Sequence, residues 1–189
     1  MQNLTLITGG ARSGKSTLAE KLGREASSPV YYFATMHERP NDAEQCRRIE
    51  RHQANRPAVW QTVVINAGLT AAIDALPKQN VLVIVDCLSL YVADFLMRQL
   101  GEGARGEQVY EGEDPLMDTL RKDLLAMEHS AHAQFIVVTN EVGSGVVPEH
   151  VLGRAYRDLL GAANQLFAAH AQTVYMMCVG IPVRIKPVS

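Results

Sequence analysis

The chain has 189 residues, 47% apolar and 20% charged, an ordinary composition for one globular domain with a proper core. Its 18 basic and 20 acidic residues leave a formal charge of −2, which excludes a general electrostatic attraction to nucleic acid. Three cysteines, Cys46, Cys87 and Cys178, are too sparse and too odd in number for a disulfide framework, and they suit a reducing compartment. No basic region precedes the first apolar run, so a secretory signal is not expected. No apolar stretch approaches the ~20 residues of a membrane helix. The expectation is a cytoplasmic protein whose residues 1–189 form a single nucleotide-binding catalytic domain.

In chain order, Leu4–Thr8 reads as a buried strand and Ser16–Ala26 as a helix. Val30–Ala34 is the next strand, Ala43–Gln53 a helix, Trp60–Ile65 a strand and Val81–Val85 another. Leu88–Leu100 and Pro115–Ala131 carry helical patterns, separated by the polar, glycine-rich stretch Gly101–Pro115, read as a surface loop. Phe135–Thr139 is a strand, Val151–Ala169 a helix, and Thr173–Val179 and Val183–Lys186 are the last strands, joined by a tight Gly-Ile-Pro turn. Continuous apolar strands alternating with helices predict a parallel sheet covered on both faces, with an antiparallel hairpin at the C-terminal edge.

Gly9–Ser16 reads G-G-A-R-S-G-K-S, which fits G-x-x-x-x-G-K-[ST] between an apolar strand and a helix. The loop Gly9, Gly10, Ala11, Arg12, Ser13, Gly14, Lys15 and Ser16 is the expected phosphate cradle. Its glycines let backbone N–H groups converge, and the helix start adds a positive dipole end. Lys15 is expected to reach the outer phosphates, and the Ser16 hydroxyl to enter a Mg²⁺ shell, since hard oxygens suit that ion. The pattern predicts an α/β fold of the P-loop NTPase (RecA-like) type. Asp86 closes the apolar run Val81–Val85 and has two readings: a carboxylate for that metal, or an N-cap for the helix that follows. The guanine-reading N-K-x-D sequence is absent, which argues against a switch GTPase.

The stretch Cys46–Trp60 sets His52 among Arg48, Arg51 and Arg56. Flanking cations disfavour an imidazolium, and a neutral imidazole is a nucleophile. The spacing equally fits a solvated basic helix face. The remaining histidines, His37, His129, His132, His150 and His170, lack such surroundings.

Several blocks are more specific than the phosphate loop. They are ITGGARSGKS at the start, YYFATM at Tyr31–Met36 and RIERHQANRP at Arg48–Pro57, then VDCLSLYVADFL at Val85–Leu96, VTNEVGSGVVPE at Val138–Glu149, YRDLLGAANQLFA at Tyr156–Ala168 and VGIPVRIK at Val179–Lys186. Nearly end to end, the chain resembles the bifunctional adenosylcobinamide kinase / adenosylcobinamide-phosphate guanylyltransferases of cobalamin biosynthesis. The resemblance implies two reactions. A nucleoside triphosphate, ATP or GTP, phosphorylates the aminopropanol hydroxyl of adenosylcobinamide. GMP then passes from GTP to that phosphate through a covalent adduct on a histidine, here His52. It also implies nucleotide contacts at Ala34, Thr35 and Met36, at Gln53, Ala54, Asn55 and Arg56, and at Asp86, together with assembly as a homotrimer.

Two positions depart from the family pattern. Val64 stands where a glutamate is common four residues after the tryptophan, here Trp60, and Ala93-Asp94 stand where Thr-Asn is frequent. Asn140 and Glu141 follow a strand, at the edge where ligands bind in open α/β sheets, and read either as phosphate or hydroxyl contacts or as an N-cap and turn. Arg154 and Arg157 read as phosphate contacts or as surface charges. The rival functions are a chain retaining one of the two activities, and a non-catalytic nucleotide-sensing module. No nucleic-acid partner and no membrane span are expected.

Overall fold

The apolar pattern builds a seven-stranded sheet. β1 (Leu4–Gly9), β2 (Val30–Ala34), β3 (Gln61–Val64), β4 (Val81–Asp86), β5 (Ala133–Val138), β6 (Thr173–Cys178) and β7 (Ile181–Lys186) lie in the order β3-β2-β4-β5-β1-β6-β7. Every pairing is parallel except β6–β7. The computed structural model describes residues 3–35, 56–66, 68–100 and 113–187. The expected helix Ala43–Gln53 and most of the Gly101–Pro115 stretch fall outside these.

β4 shows why the strands read as unbroken apolar runs. Val81 to Val85 are all buried, because a central parallel strand has helices on both faces. One face, with Leu6, Phe33, Val83, Val85, Phe135 and Val137, lies in the larger core with residues of α2 (Leu69–Asp74), α3 (Leu88–Leu100), α4 (Glu113–His129) and α5 (Val151–His170). The opposite face, with Ile7, Tyr32, Leu82, Ile84, Ile136 and Val138, packs on α1 (Lys15–Glu25) through Leu18, Ala19 and Leu22. α5 earns its place by spacing: Ala155, Leu159, Leu160, Ala163 and Phe167 form one buried stripe. Each fully buried side chain of the Leu, Ile or Phe class stabilises the fold by about 1.5–3 kcal/mol.

Among the described residues the expected elements are present with ends shifted by a residue or two, and two corrections have a physical cause. The final hairpin turns at Val179–Gly180, both at positive φ, rather than at Gly-Ile-Pro, so β7 begins at Ile181. α2 was not expected. It has only six residues, and its N-terminus is capped from another helix: the Asp123 carboxylate on α4 accepts hydrogen bonds from Thr70 N at 2.9 Å and Thr70 Oγ1 at 2.7 Å. Asp123 also accepts from Tyr91 Oη at 3.0 Å. Burial raises the Asp123 pKa, against the lowering effect of these donors.

Candidate active site

Because β1 to β6 run in parallel, their carboxyl ends share one edge, and the phosphate loop leaves β1 there. The loop is tight for reasons the backbone makes plain. Gly9 has φ of +145°, and a Cβ there would stand 2.6 Å from the Met177 carbonyl oxygen of β6. Gly14, at φ 94°, is the N-cap of α1 and offers no side chain to the first turn, which carries no acidic residue. The helix N-terminus therefore keeps its amides for an anion. Lys15 is buried and folds its Nζ onto the Gly10 carbonyl at 2.6 Å. Ser13 Oγ is buried and has no hydrogen-bond partner among the described residues, as expected of a donor set aside for a ligand oxygen. The β6–β7 turn supports the loop from behind, with Gly180 N donating to Ser13 O at 3.0 Å.

Asp86 ends β4, one strand away from β1, because β5 lies between them. The N-cap reading of Asp86 fails. α3 starts at Leu88, and it is the Cys87 carbonyl that accepts from Leu90 N and Tyr91 N, so Cys87 holds the cap position. The Asp86 carboxylate instead accepts a hydrogen bond from the buried Tyr32 phenol, Oη to Oδ2 at 2.5 Å. Burial and the neighbouring Asp86 charge push that phenol well above its ordinary range, so it remains the donor. Over the Tyr32 ring sits the Arg56 guanidinium, its Cζ 3.5 Å from the centroid. Trp60 stacks on the same tyrosine, centroids 6.4 Å apart and planes 22° apart, while its far edge lies against Gly23 of α1. Sequence reasoning did not find Tyr32 or Trp60. Both look like strand-core aromatics, and nothing in their spacing names a carboxylate partner.

Thr35 is buried, and its hydroxyl is used twice: it donates to Cys87 O at 2.8 Å and accepts from Cys87 N at 2.7 Å. It ties the end of β2 to the turn after Asp86 rather than offering its side chain to a nucleotide. Ala34 pairs with both Asp86 and Val64, which puts Val64, half exposed on the edge strand, at the same rim. His52, Met36, Gln53, Ala54 and Asn55, with Arg48 and Arg51, lie outside the described residues.

Of the N-cap and turn reading of Asn140 and Glu141, the turn falls to Glu141 and the N-cap to neither residue. Glu141 Oε1 accepts from Gly143 N at 2.6 Å and Ser144 N at 3.2 Å, which makes it the turn residue. The N-cap of α5 is His150. Arg154 donates to the Pro148 and Glu149 carbonyls, a structural role at the start of α5. Tyr156 donates to Ser89 O at 3.1 Å, and burial pushes its phenol up to about 12.

Mg²⁺ takes few protein ligands, all oxygen, and keeps several waters. The Ser16 hydroxyl in the first turn of α1 and the Oδ1 of Asp86 are of that kind. Among the described residues, no group of three or more His, Cys, Asp or Glu forms a denser metal site. No described helix is long and apolar enough to cross a membrane.

Known structures share the fold. An ATPase of the type III secretion system of pathogenic bacteria superposes at a TM-score of 0.57 with 15% identity, over 97% of this chain; the chain spans 57% of that ATPase. A Pyrococcus horikoshii OT3 protein superposes at 0.56 with 8% identity, covering 100% of this chain and 88% of its own. Sequence relatives are much nearer. The bifunctional adenosylcobalamin biosynthesis protein CobU of Escherichia coli K12 is 38% identical over 183 residues, 97% of this chain and 99% of its own length. CobP of Pseudomonas aeruginosa, with the same description, is 36% identical over 181 residues, 96% of each. Residues 5–185 match the family described as cobinamide kinase / cobinamide phosphate guanyltransferase, and the chain belongs to that family.

Proposed function

We propose that the chain phosphorylates the aminopropanol hydroxyl of adenosylcobinamide with a nucleoside triphosphate, and then transfers GMP from GTP to the new phosphate. The observation that carries this reading is the juxtaposition at one sheet edge of the Gly9–Ser16 loop, with its uncapped helix N-terminus, and Asp86 one strand away. Phosphoryl transfer needs mainly positioning and charge neutralisation. In this reading Lys15 and the loop amides carry that task. Ser16 and Asp86 would hold Mg²⁺, which when bound supplies charge neutralisation between phosphate oxygens.

For the second reaction we assign His52 as the nucleophile. Its ring nitrogen attacks the α-phosphorus of GTP. A P–N bond forms, the α–β P–O bond breaks, and pyrophosphate leaves toward the loop. The phosphate of adenosylcobinamide phosphate then attacks the same phosphorus, the P–N bond breaks, and the neutral imidazole returns. Support comes from Arg56, four residues beyond His52, whose guanidinium rests on Tyr32 beside Asp86. We include in this reading nucleotide contacts at Ala34–Met36 and Gln53–Arg56, and assembly as a homotrimer.

Incubating the protein with adenosylcobinamide, ATP, GTP and Mg²⁺, with products followed by mass, tests the reading. Sequential appearance of adenosylcobinamide phosphate, adenosyl-GDP-cobinamide and pyrophosphate is expected. Binding of triphosphate without any product would make the chain a nucleotide sensor.

A further inference from the structure

The residue between the phosphate loop and the Asp86 turn is Asn140, and its surroundings are built. Thr139 N donates to Ile7 O at 2.9 Å and Glu141 N to Gly9 O at 3.0 Å, so the β1–β5 ladder continues past the strand ends to the first glycine of the loop. Asn140 Nδ2 donates to Ser89 Oγ at 2.9 Å, three residues beyond Asp86. Ser89 is fully buried and is held in turn by Tyr156 through its carbonyl. From α5, Asn164 Nδ2 donates to Asn140 O at 2.9 Å, while its Oδ1 accepts from Thr139 Oγ1 at 2.7 Å. The Asn140 backbone and side chain are thus gripped from two elements. Its Oδ1 and second amide hydrogen have no partner among the described residues, and the side chain is only half buried. The turn itself does not need Asn140, since Glu141 caps it.

We propose that Asn140 touches the acceptor substrate, with Asn164 and Ser89 as positioning residues; this rests on the transferase reading above. A carboxamide suits the task because it is neutral beside a polyphosphate and carries both an acceptor and a donor. In the kinase reaction Oδ1 accepts the hydrogen bond of the attacking hydroxyl, and the spare N–H steadies a phosphoryl oxygen. The O–P bond to the γ-phosphorus forms, the β–γ P–O bond breaks, the nucleoside diphosphate leaves and the hydroxyl proton passes to water. Asn140 is not a base. It orients the attack.

The test compares wild type, Asn140→Ala, Asn164→Asp and the double variant with cobinamide, ATP and Mg²⁺, alongside the Kd of a non-hydrolysable ATP analogue measured without cobinamide. Asn140→Ala is expected to lower kcat for cobinamide phosphorylation roughly 100-fold, the scale of one lost transition-state hydrogen bond, while analogue affinity moves less than about threefold. Asn164→Asp keeps the acceptor for Thr139 and loses the donor to Asn140 O, and should cost roughly tenfold. In the double variant it should add nothing to Asn140→Ala, because Asn164 acts through Asn140. If Asn140→Ala does not fold, Asn140→Asp keeps the shape, adds a repelling charge and should lose at least as much. Wild-type turnover with near-normal Asn140 variants overturns this inference alone. Turnover and analogue affinity falling together, or multiplicative losses in the double variant, overturn it as well. No product from wild type sinks the inference and the transferase reading together.

Discussion

Gly23→Ala is a small change with a calculable balance. Gly23 lies in the last turn of α1, where alanine favours the helix by up to about 1 kcal/mol. Against this, the new Cβ would stand 2.7 and 2.8 Å from two ring atoms of Trp60 and 2.9 Å from Ile84 Cδ1. Isoleucine can rotate away. The indole cannot retreat easily, since it stacks on Tyr32, which is fixed by Asp86 and covered by Arg56. Overpacking of this kind costs about 1–3 kcal/mol. The net expectation is destabilisation by about 1 kcal/mol, or ~2–4 °C in Tm for a chain of this size. Trp60 is the sole tryptophan, so its fluorescence reports the displacement directly. A Gly23→Ala protein with raised Tm and unchanged emission would refute the packing chain from α1 to Asp86.

Gly9→Ala meets a backbone carbonyl that cannot move aside, so it should cost roughly 1–3 kcal/mol of stability and weaken triphosphate binding about tenfold or more, read by denaturation and nucleotide titration. Asp123 titrates higher in the folded chain than its ordinary 3.8, so the folded state holds that proton more tightly. Its contribution is fully present below about pH 4 and is lost as pH rises through the raised value. Asp123→Asn, which keeps an acceptor for Thr70, should flatten the resulting decline in Tm as pH rises above about 4; parallel curves would contradict the assignment. Val64→Glu puts at an exposed rim position the glutamate that the family resemblance leads one to expect there. It should change stability by less than about 0.5 kcal/mol while raising the preference for GTP over ATP roughly tenfold, the worth of one charge-assisted hydrogen bond.

The sheet was legible because its signals are local. The unbroken run Val81–Val85 and the glycines of Gly9–Ser16 each announce their structure within a few residues, as does the stripe along Val151–His170. What the sequence hid depends on partners far along the chain. α2 is held by Asp123, 53 residues from Thr70. Asp86 was ambiguous between metal carboxylate and N-cap until Cys87 took the cap position and Tyr32, 54 residues away, took one carboxylate oxygen. The blocks around Asn140 and Asn164 were visible as motifs, yet their link is a hydrogen bond across 24 residues that no periodicity encodes. Thr35 sits in a motif assigned to the nucleotide, while its hydroxyl serves the Asp86 turn. Local pattern thus marked out the sheet and its phosphate-loop sequence, and long-range hydrogen bonds decide what each described side chain at that edge can do.

The central claim is that His52 carries GMP, and labelling tests it most directly. Wild-type protein incubated with Mg²⁺ and GTP labelled at the α-phosphate should retain label through denaturation, release it in acid but not in base, and pass it to added adenosylcobinamide phosphate. His52→Ala should retain none while still binding triphosphate. Absence of a wild-type adduct, or an equal adduct on His52→Ala, would contradict the account.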